Sequence, residues 1–311
     1  MRAIKLPNLD FLSQRRKALV LSGILMVVSL LSLVIFGLNR GLDFTGGTLI
    51  EIGYKAPVDL AEVRSALSEG GFGNVMVQQF GTTRDVLLRI PPVGEVNDAE
   101  LSQRVLSALN AAAPDQVEVR RVEFVGPQVG KELAEQSGLA VLFSIMGILA
   151  YVAMRFEWRF SVGAVAATVH DAVLILGIFS LFQIDFDLNV LAAVLTVIGY
   201  SLNDTIVVFD RVRENFRKNR KGSALEIMNQ SVNETMSRTI ITAGTVLLVV
   251  VALYLFGGET LRGFSLALII GVVSGTYSTI YIASATAIML GVSRSDLVRP
   301  PKEGAGADSR P

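Results

Sequence analysis

Six stretches of this chain approach the length and apolarity that a bilayer demands of a helix. About 20 predominantly apolar residues are needed to cross the hydrocarbon core. Residues 18–38, 138–154, 160–182, 188–209, 239–256 and 264–290 meet that requirement, and the second, the shortest, must borrow flanking residues. A mean hydropathy of +0.52, with 51% hydrophobic and only 18% charged residues, is too apolar for an ordinary soluble domain. With 16 Phe and one Trp, the apolar mass is largely aliphatic, as lipid-facing helices require. The first stretch follows Arg15, Arg16 and Lys17, as the core of a signal peptide does. Residues 33–38 offer no small-x-small cleavage site, so an uncleaved anchor is expected.

Charge orients the six spans. With the N-terminus inside, the inner segments are 1–17, 155–159, 210–238 and 291–311, and together they carry 18 Lys or Arg. The two short outer loops, 183–187 and 257–263, carry only Arg262. The positive-inside rule therefore predicts cytoplasmic termini. The organisation expected is an N-terminus and first helix at 1–38, an outer domain at 39–137, a five-helix bundle at 138–290 and a cytoplasmic tail at 291–311.

The outer segment reads as a small folded domain. Alternation along 48–54 predicts a strand, and Leu60, Val63 and Leu67 then take helical spacing. Residues 74–80 and 84–90 are strand candidates joined by a turn at Gly81-Thr82-Thr83. Asn97 with Glu100 resembles a capping box opening a helix with Leu101, Val105 and Leu109 on one face, and Pro114 marks its end. A last strand spans 116–124, with a bulge where the apolar phase slips between Val119 and Val122. The order βαββαβ is the ferredoxin-like pattern. The fold class expected is a polytopic α-helical membrane protein with six transmembrane helices and one periplasmic α+β ferredoxin-like domain.

Several kinds of chemistry are excluded. Cysteine is absent, so there are no disulfides or thiolate sites, and the single histidine cannot form a His cluster. No metal, cofactor or enzymatic activity is expected, and a net charge of zero gives no reason to expect nucleic acid. What remains lies in the membrane, where a central Asp costs roughly 2.5–3.5 kcal/mol on insertion scales. Only His170, Asp171 and Asp204 are ionisable within the six apolar runs. Thr196, Tyr200, Asn203 and Asp204 share a helical face, and Arg238 begins the fifth span with Thr242 and Thr245 above it. Asp204 and Arg238 can pair across the bundle, either as a static bridge or as a titrating pair. His170 either caps a carbonyl or titrates, and Asp171 is either its partner or a second titrating group. Gly271 and Gly275, with Ser274 and Ser278, predict close helix packing. Arg211, Arg213, Arg217, Lys218, Arg220 and Lys221 read as a basic loop that sets topology and contacts anionic lipid. The run at 41–48 resembles a phosphate-binding turn but lacks a Lys and a following helix.

Four stretches resemble the SecD/SecF family of export membrane proteins, in its SecF branch. They are GLDFTGGTLIEI at 41–52, RFEWRF at 155–160 followed by His170-Asp171, VIGYSLNDTIVVFDRVREN at 197–215 and SVNETMSRTIIT at 231–242. The resemblance covers roughly residues 10–295, and the tail at 300–311 departs from it. It implies a subunit of the bacterial inner membrane related to the resistance-nodulation-division superfamily. That subunit pairs with SecD and assists the SecY, SecE and SecG channel, with YajC and YidC as further partners. It uses the proton gradient to draw preproteins outward. The family's proton-pathway aspartate and arginine map onto Asp204 and Arg238, with His170, Asp171 and Asn203 as further candidates. The alternatives are a passive translocon scaffold and a small-molecule exporter of the same superfamily.

Overall fold

The computed structural model describes residues 8–73, 75–92, 98–113, 117–219 and 222–293. A short 3-10 turn, Leu12–Gln14, leads into α1 (Arg15–Ile35), the first of six spans long and apolar enough to cross a membrane among the described residues. The chain is a polytopic helical membrane protein.

Between the first and second spans lie α2 (Leu42–Thr45), β1 (Gly47–Tyr54), α3 (Leu60–Glu69), β2 (Met76–Gln79), β3 (Asp85–Ile90), α4 (Asp98–Ala112) and β4 (Val117–Val125). The strands form one antiparallel sheet in the order β2-β3-β1-β4. The phase slip in the last strand is a bulge: Glu51 pairs with Arg121 and Ile52 with Val119, leaving Arg120 as the extra residue. One face of the sheet presents Ile50, Ile52, Val86, Leu88 and Ile90 to Val63 and Leu67 of α3 and to Leu101, Val105 and Leu109 of α4. Asp59 caps α3 by accepting from the Ala61 amide. The opposite face, with Glu51, Leu87, Arg89 and Arg121, roofs a cleft of about 610 Å³ above the bundle's two short loops. Asn74, Asn97 of the expected capping box, Pro114 and Gln116 lie outside the described residues, as do Arg220, Lys221 and the tail from 294.

The remaining spans are α5 (Pro127–Arg155), α6 (Trp158–Leu181), α7 (Leu188–Lys218), α8 (Ala224–Phe256) and α9 (Glu259–Ser278). The last continues through a π-helical segment, Thr279–Ala283, into α10 (Ser284–Met289). Two expectations from hydropathy change here. Residues 127–137, assigned to the outer domain, belong to α5, because Pro127 at its first turn starts a helix that runs unbroken into the apolar run. The region 210–238 is largely helix rather than loop, since α7 and α8 both extend past their apolar cores. A Ser223–Glu226 capping box starts α8. Part of the basic character is spent internally: Arg211 pairs with Glu214 and Glu234, and Arg213 with Glu157.

Helix packing follows the small residues. A Cβ on Gly271 would collide with Val197, and one on Gly275 would lie 3.1 Å from Ser201, so α9 sits closely against α7. By contrast α5 and α8 turn large side chains outward, with Leu248 74% and Met154 83% exposed. Those surfaces suit lipid or another chain rather than water.

Candidate functional site

Helix α7 carries two polar stripes. The one facing the bundle runs through Ser201, Asp204 and Thr205, all buried. The one expected from sequence splits at Asp204: Thr196 and Asn203 are exposed and Tyr200 is half-buried. A stripe drawn through Thr196 and Tyr200 reaches Asp204 at its margin, which is why the spacing alone misplaced the inner face.

Helices α7 and α8 are antiparallel. Tyr200 therefore stands beside Thr242, and one turn further along Asp204 comes under the charge of Arg238. The Tyr200 hydroxyl approaches Thr242 without closing a hydrogen bond of ordinary geometry. Asp204 and Arg238 form no salt bridge within 4.0 Å. The static bridge considered above is therefore not made. Asp204 is 4% exposed and its Oδ2 is buried without a hydrogen-bond partner, whereas Arg238 lies on the exposed side of α8. A buried carboxylate oxygen left unpaired is costly and unusual.

A second cluster sits on α6. His170 contacts Asp171 through Nδ1 at 3.1 Å rather than a backbone carbonyl. Asp171 Oδ2 accepts from Ser201 Oγ on α7 and from Ser278 Oγ on α9, both at 2.7 Å. His170 Nε2 is buried without a partner. Tyr277 lies 6.2 Å from the imidazole, ring to ring, accepts from Ser22 on α1 and donates to the Ala18 carbonyl. Thr205 bonds Thr279, the first residue of the π-helical segment, and Ser284 Oγ donates to the Thr279 carbonyl five residues back. Sequence reasoning missed Ser201, Thr205 and Thr279. For Ser201 and Thr205 the one available signal was the helical spacing 201, 204, 205, 208 along the buried face of α7.

The glycine-rich run at 41–48 is a joint. Gly46 and Gly47 have φ of 67° and 117°, which a side chain rarely tolerates. The turn lets Asp43 accept from the Leu188 amide at the start of α7, and Phe44 stack on Phe186. Nearby, Arg89 of β3 pairs with Asp185 and Asn39 donates to it. Asp187 caps α7 through the Val190 amide. Burial, then the charges of Asp43 and Asp185, push the Asp187 carboxyl above its ordinary range against the opposing pull of that amide.

Comparisons with known proteins agree with this architecture. The family description "Protein export membrane protein SecD/SecF, C-terminal" matches residues 105–293, and "SecD/SecF GG Motif" matches 31–58. The chain is 50% identical over 306 residues to the protein translocase subunit SecF of Vibrio alginolyticus, covering 98% of this chain and 97% of that one. It is 50% identical over 309 residues to SecF of Pseudomonas aeruginosa, covering 99% of each. The crystal structure of SecDF, a translocon-associated membrane protein from Thermus thermophilus, superposes with a TM-score of 0.83 at 36% identity. That match covers 92% of this chain and 39% of the SecDF chain.

Proposed function

The chain belongs to the SecD/SecF family of protein-export membrane proteins and is an accessory subunit of Sec protein export; from that premise we propose that it couples the proton gradient to preprotein movement. Asp204 is the proton-carrying group and Arg238 the charge that responds to it. The observation that carries this reading is the unpartnered, buried Oδ2 of Asp204 beneath an arginine that does not close on it. A carboxylate held in that way is poised to change its proton and its partner together. The transmembrane potential supplies about 2.3 kcal/mol per charge per 100 mV, enough to drive such an exchange.

The exposed polar stripe supports a partner. Asn203 on α7 and Arg238 on α8 are exposed and costly against lipid, so SecD covers this face. The fused SecDF chain, of which this chain matches 39%, supports the same pairing. SecY, SecE and SecG receive the assembled pair, with YajC and YidC as further contacts, and the translocating preprotein is the substrate. The subunit needs no cofactor and performs no enzymatic reaction.

Orientation follows the charge asymmetry: both termini are cytoplasmic and the sheet domain stands on the periplasmic side of a bacterial inner membrane. The domain's element order and its β2-β3-β1-β4 sheet support a ferredoxin-like fold. Cysteines placed singly at Ser68, Gln183 or Gly258 in this cysteine-free chain should react with an impermeant thiol reagent from outside, and one at Ser223 should not.

The test of coupling is Asp204→Asn in a complex reconstituted with SecD and the channel. The variant should insert and assemble, yet lose the stimulation of export by a proton gradient, while Asp204→Glu keeps part of it. Normal gradient-driven export in an assembled Asp204→Asn complex refutes the coupling role and leaves a scaffold.

A further inference from the structure

Resting on that proton-coupling reading, we propose a second proton-carrying site in this chain: His170 and Asp171 together take up and release one proton, with the imidazole Nε2 as the point of exchange. The pair sits in series with Asp204 through α7.

Three features of the geometry argue for it. Asp171 has a side chain 1% exposed and receives three hydrogen-bonding groups, the Ser201 and Ser278 hydroxyls and His170 Nδ1. Two hydroxyls donating to Oδ2, with the imidazole Nδ1 placed to donate to Oδ1 in its Nδ1–H tautomer, suit an ionised carboxylate. Among the described residues no Lys or Arg pairs with it. A lone negative charge at that depth is expensive. The cation at hand to neutralise it is His170 itself, once protonated.

Nε2 is where that proton goes. With Nδ1–H directed at Asp171, Nε2 carries a bare lone pair, buried in a residue 3% exposed and bonded to nothing. A histidine serving only to hold helices together would use both edges. Protonation at Nε2 gives an imidazolium–carboxylate pair, and the net charge of the site goes from −1 to zero. Release from the same nitrogen restores the start. The proton gradient is the source and sink, and no other reactant is needed.

The surroundings leave few competing charges. From α9 the imidazole meets Tyr277, with the tilted ring of Tyr281 in the π-helical segment 5.1 Å beyond it. From α1 the polar group is the Ser22 hydroxyl. Ser201, held by Asp171, is three residues from Asp204 on α7, a rise of about 4.5 Å. Ser278, the other anchor, directly precedes the π-helical segment whose Thr279 bonds Thr205. A change of charge on the pair therefore alters the grip on α7 and α9 beside the carboxylate that Arg238 watches. Proton occupancy becomes helix movement at that point.

The chain has one histidine, which makes the test direct. Ring-labelled histidine in this subunit, assembled with unlabelled SecD in lipid nanodiscs, gives one imidazole signal. The signal should pass from bare to protonated Nε2 on acidification, and Asp171→Asn should displace that transition. In parallel, His170→Gln, which keeps a hydrogen-bonding group beside Asp171 but takes no proton, should abolish gradient-driven export in assembled complexes. An imidazole that stays in one state throughout overturns the proposal without any variant. So does wild-type gradient-driven export by an assembled His170→Gln complex. The Asp204→Asn complex separates the two levels: if it too exports normally, the coupling reading falls as well. If it fails while His170→Gln succeeds, only the second site falls.

Discussion

In the sheet domain the fully buried side chains include Ile50, Ile52, Leu67, Leu88, Ile90 and Leu109, whereas in the bundle Asp171, Ser180, Ser231, Ser278 and Ser284 are as fully buried as Phe160 and Phe209. The outward faces invert in the same way. Water drives the domain to hide its aliphatic residues, at roughly 25 cal/mol per Å² of apolar surface. Lipid offers no such drive, since its tails are as apolar as leucine, and the bundle associates through close contact and internal hydrogen bonds. One chain thus follows two solvent rules, and the functional groups lie where the second rule leaves polar atoms inside.

The contrast breaks first at Val105, which is fully buried at the centre of the α4 face. Val105→Asp places an unpaired carboxylate there and should cost the domain at least about 3 kcal/mol. Protease sensitivity of the outer domain in the full-length chain should rise sharply while the bundle stays intact. A wild-type digestion pattern would mean that the helix does not dock by this face.

A matched pair sharpens the comparison. Leu88→Ala, at a site with no exposure, should destabilise the domain by about 2–5 kcal/mol. Leu248→Ala, at a site 74% exposed on α8, should change the stability of the isolated subunit in detergent by less than about 0.5 kcal/mol. Equal losses in thermal unfolding would refute the two-solvent account. Glycine gives the mirror image. Gly271→Ala forces a Cβ into Val197 and should cost about 1–3 kcal/mol. Gly147→Ala on α5, where a Cβ meets nothing within 4 Å, should be neutral or slightly stabilising.

The same two rules explain what the sequence made legible. In the domain, alternation and helical spacing follow burial, so the strands, the bulge at Arg120 and the α4 face could be read directly. In the bundle, hydropathy located the six spans but stopped where apolarity stops. It missed the 127–137 portion of α5 and the helical extensions around Arg211 and Ser231. Asp204 and Arg238 were visible as rare charges, and their failure to join was not, because an ion pair depends on a few ångströms of packing. Ser201, Thr205 and Thr279 stayed hidden because hydroxyl residues are common in packed membrane helices, and only the fold shows what each one touches.

Asp187 stands where the two regions meet and carries a small effect. It caps α7 and lines the cleft beneath the sheet, beside Asp43 and Asp185. Burial holds its carboxyl above the ordinary range, so the folded protein binds this proton more readily than the unfolded chain does. The stability it contributes is complete below the unfolded value of about 3.9 and is lost as pH rises through the higher folded value. At neutral pH the ionised group is therefore a burden. Asn also caps helices well, so Asp187→Asn keeps the bond to the Val190 amide without the charge. The variant should be more stable than wild type at pH 7 by about 1 kcal/mol or less, with the gap closing as pH falls towards 4. Thermal unfolding of both proteins over that pH range measures it. A variant that is less stable at pH 7 would mean that the helix N-terminus outweighs burial, and that this junction obeys the water-facing rule of the sheet rather than the rule of the bundle.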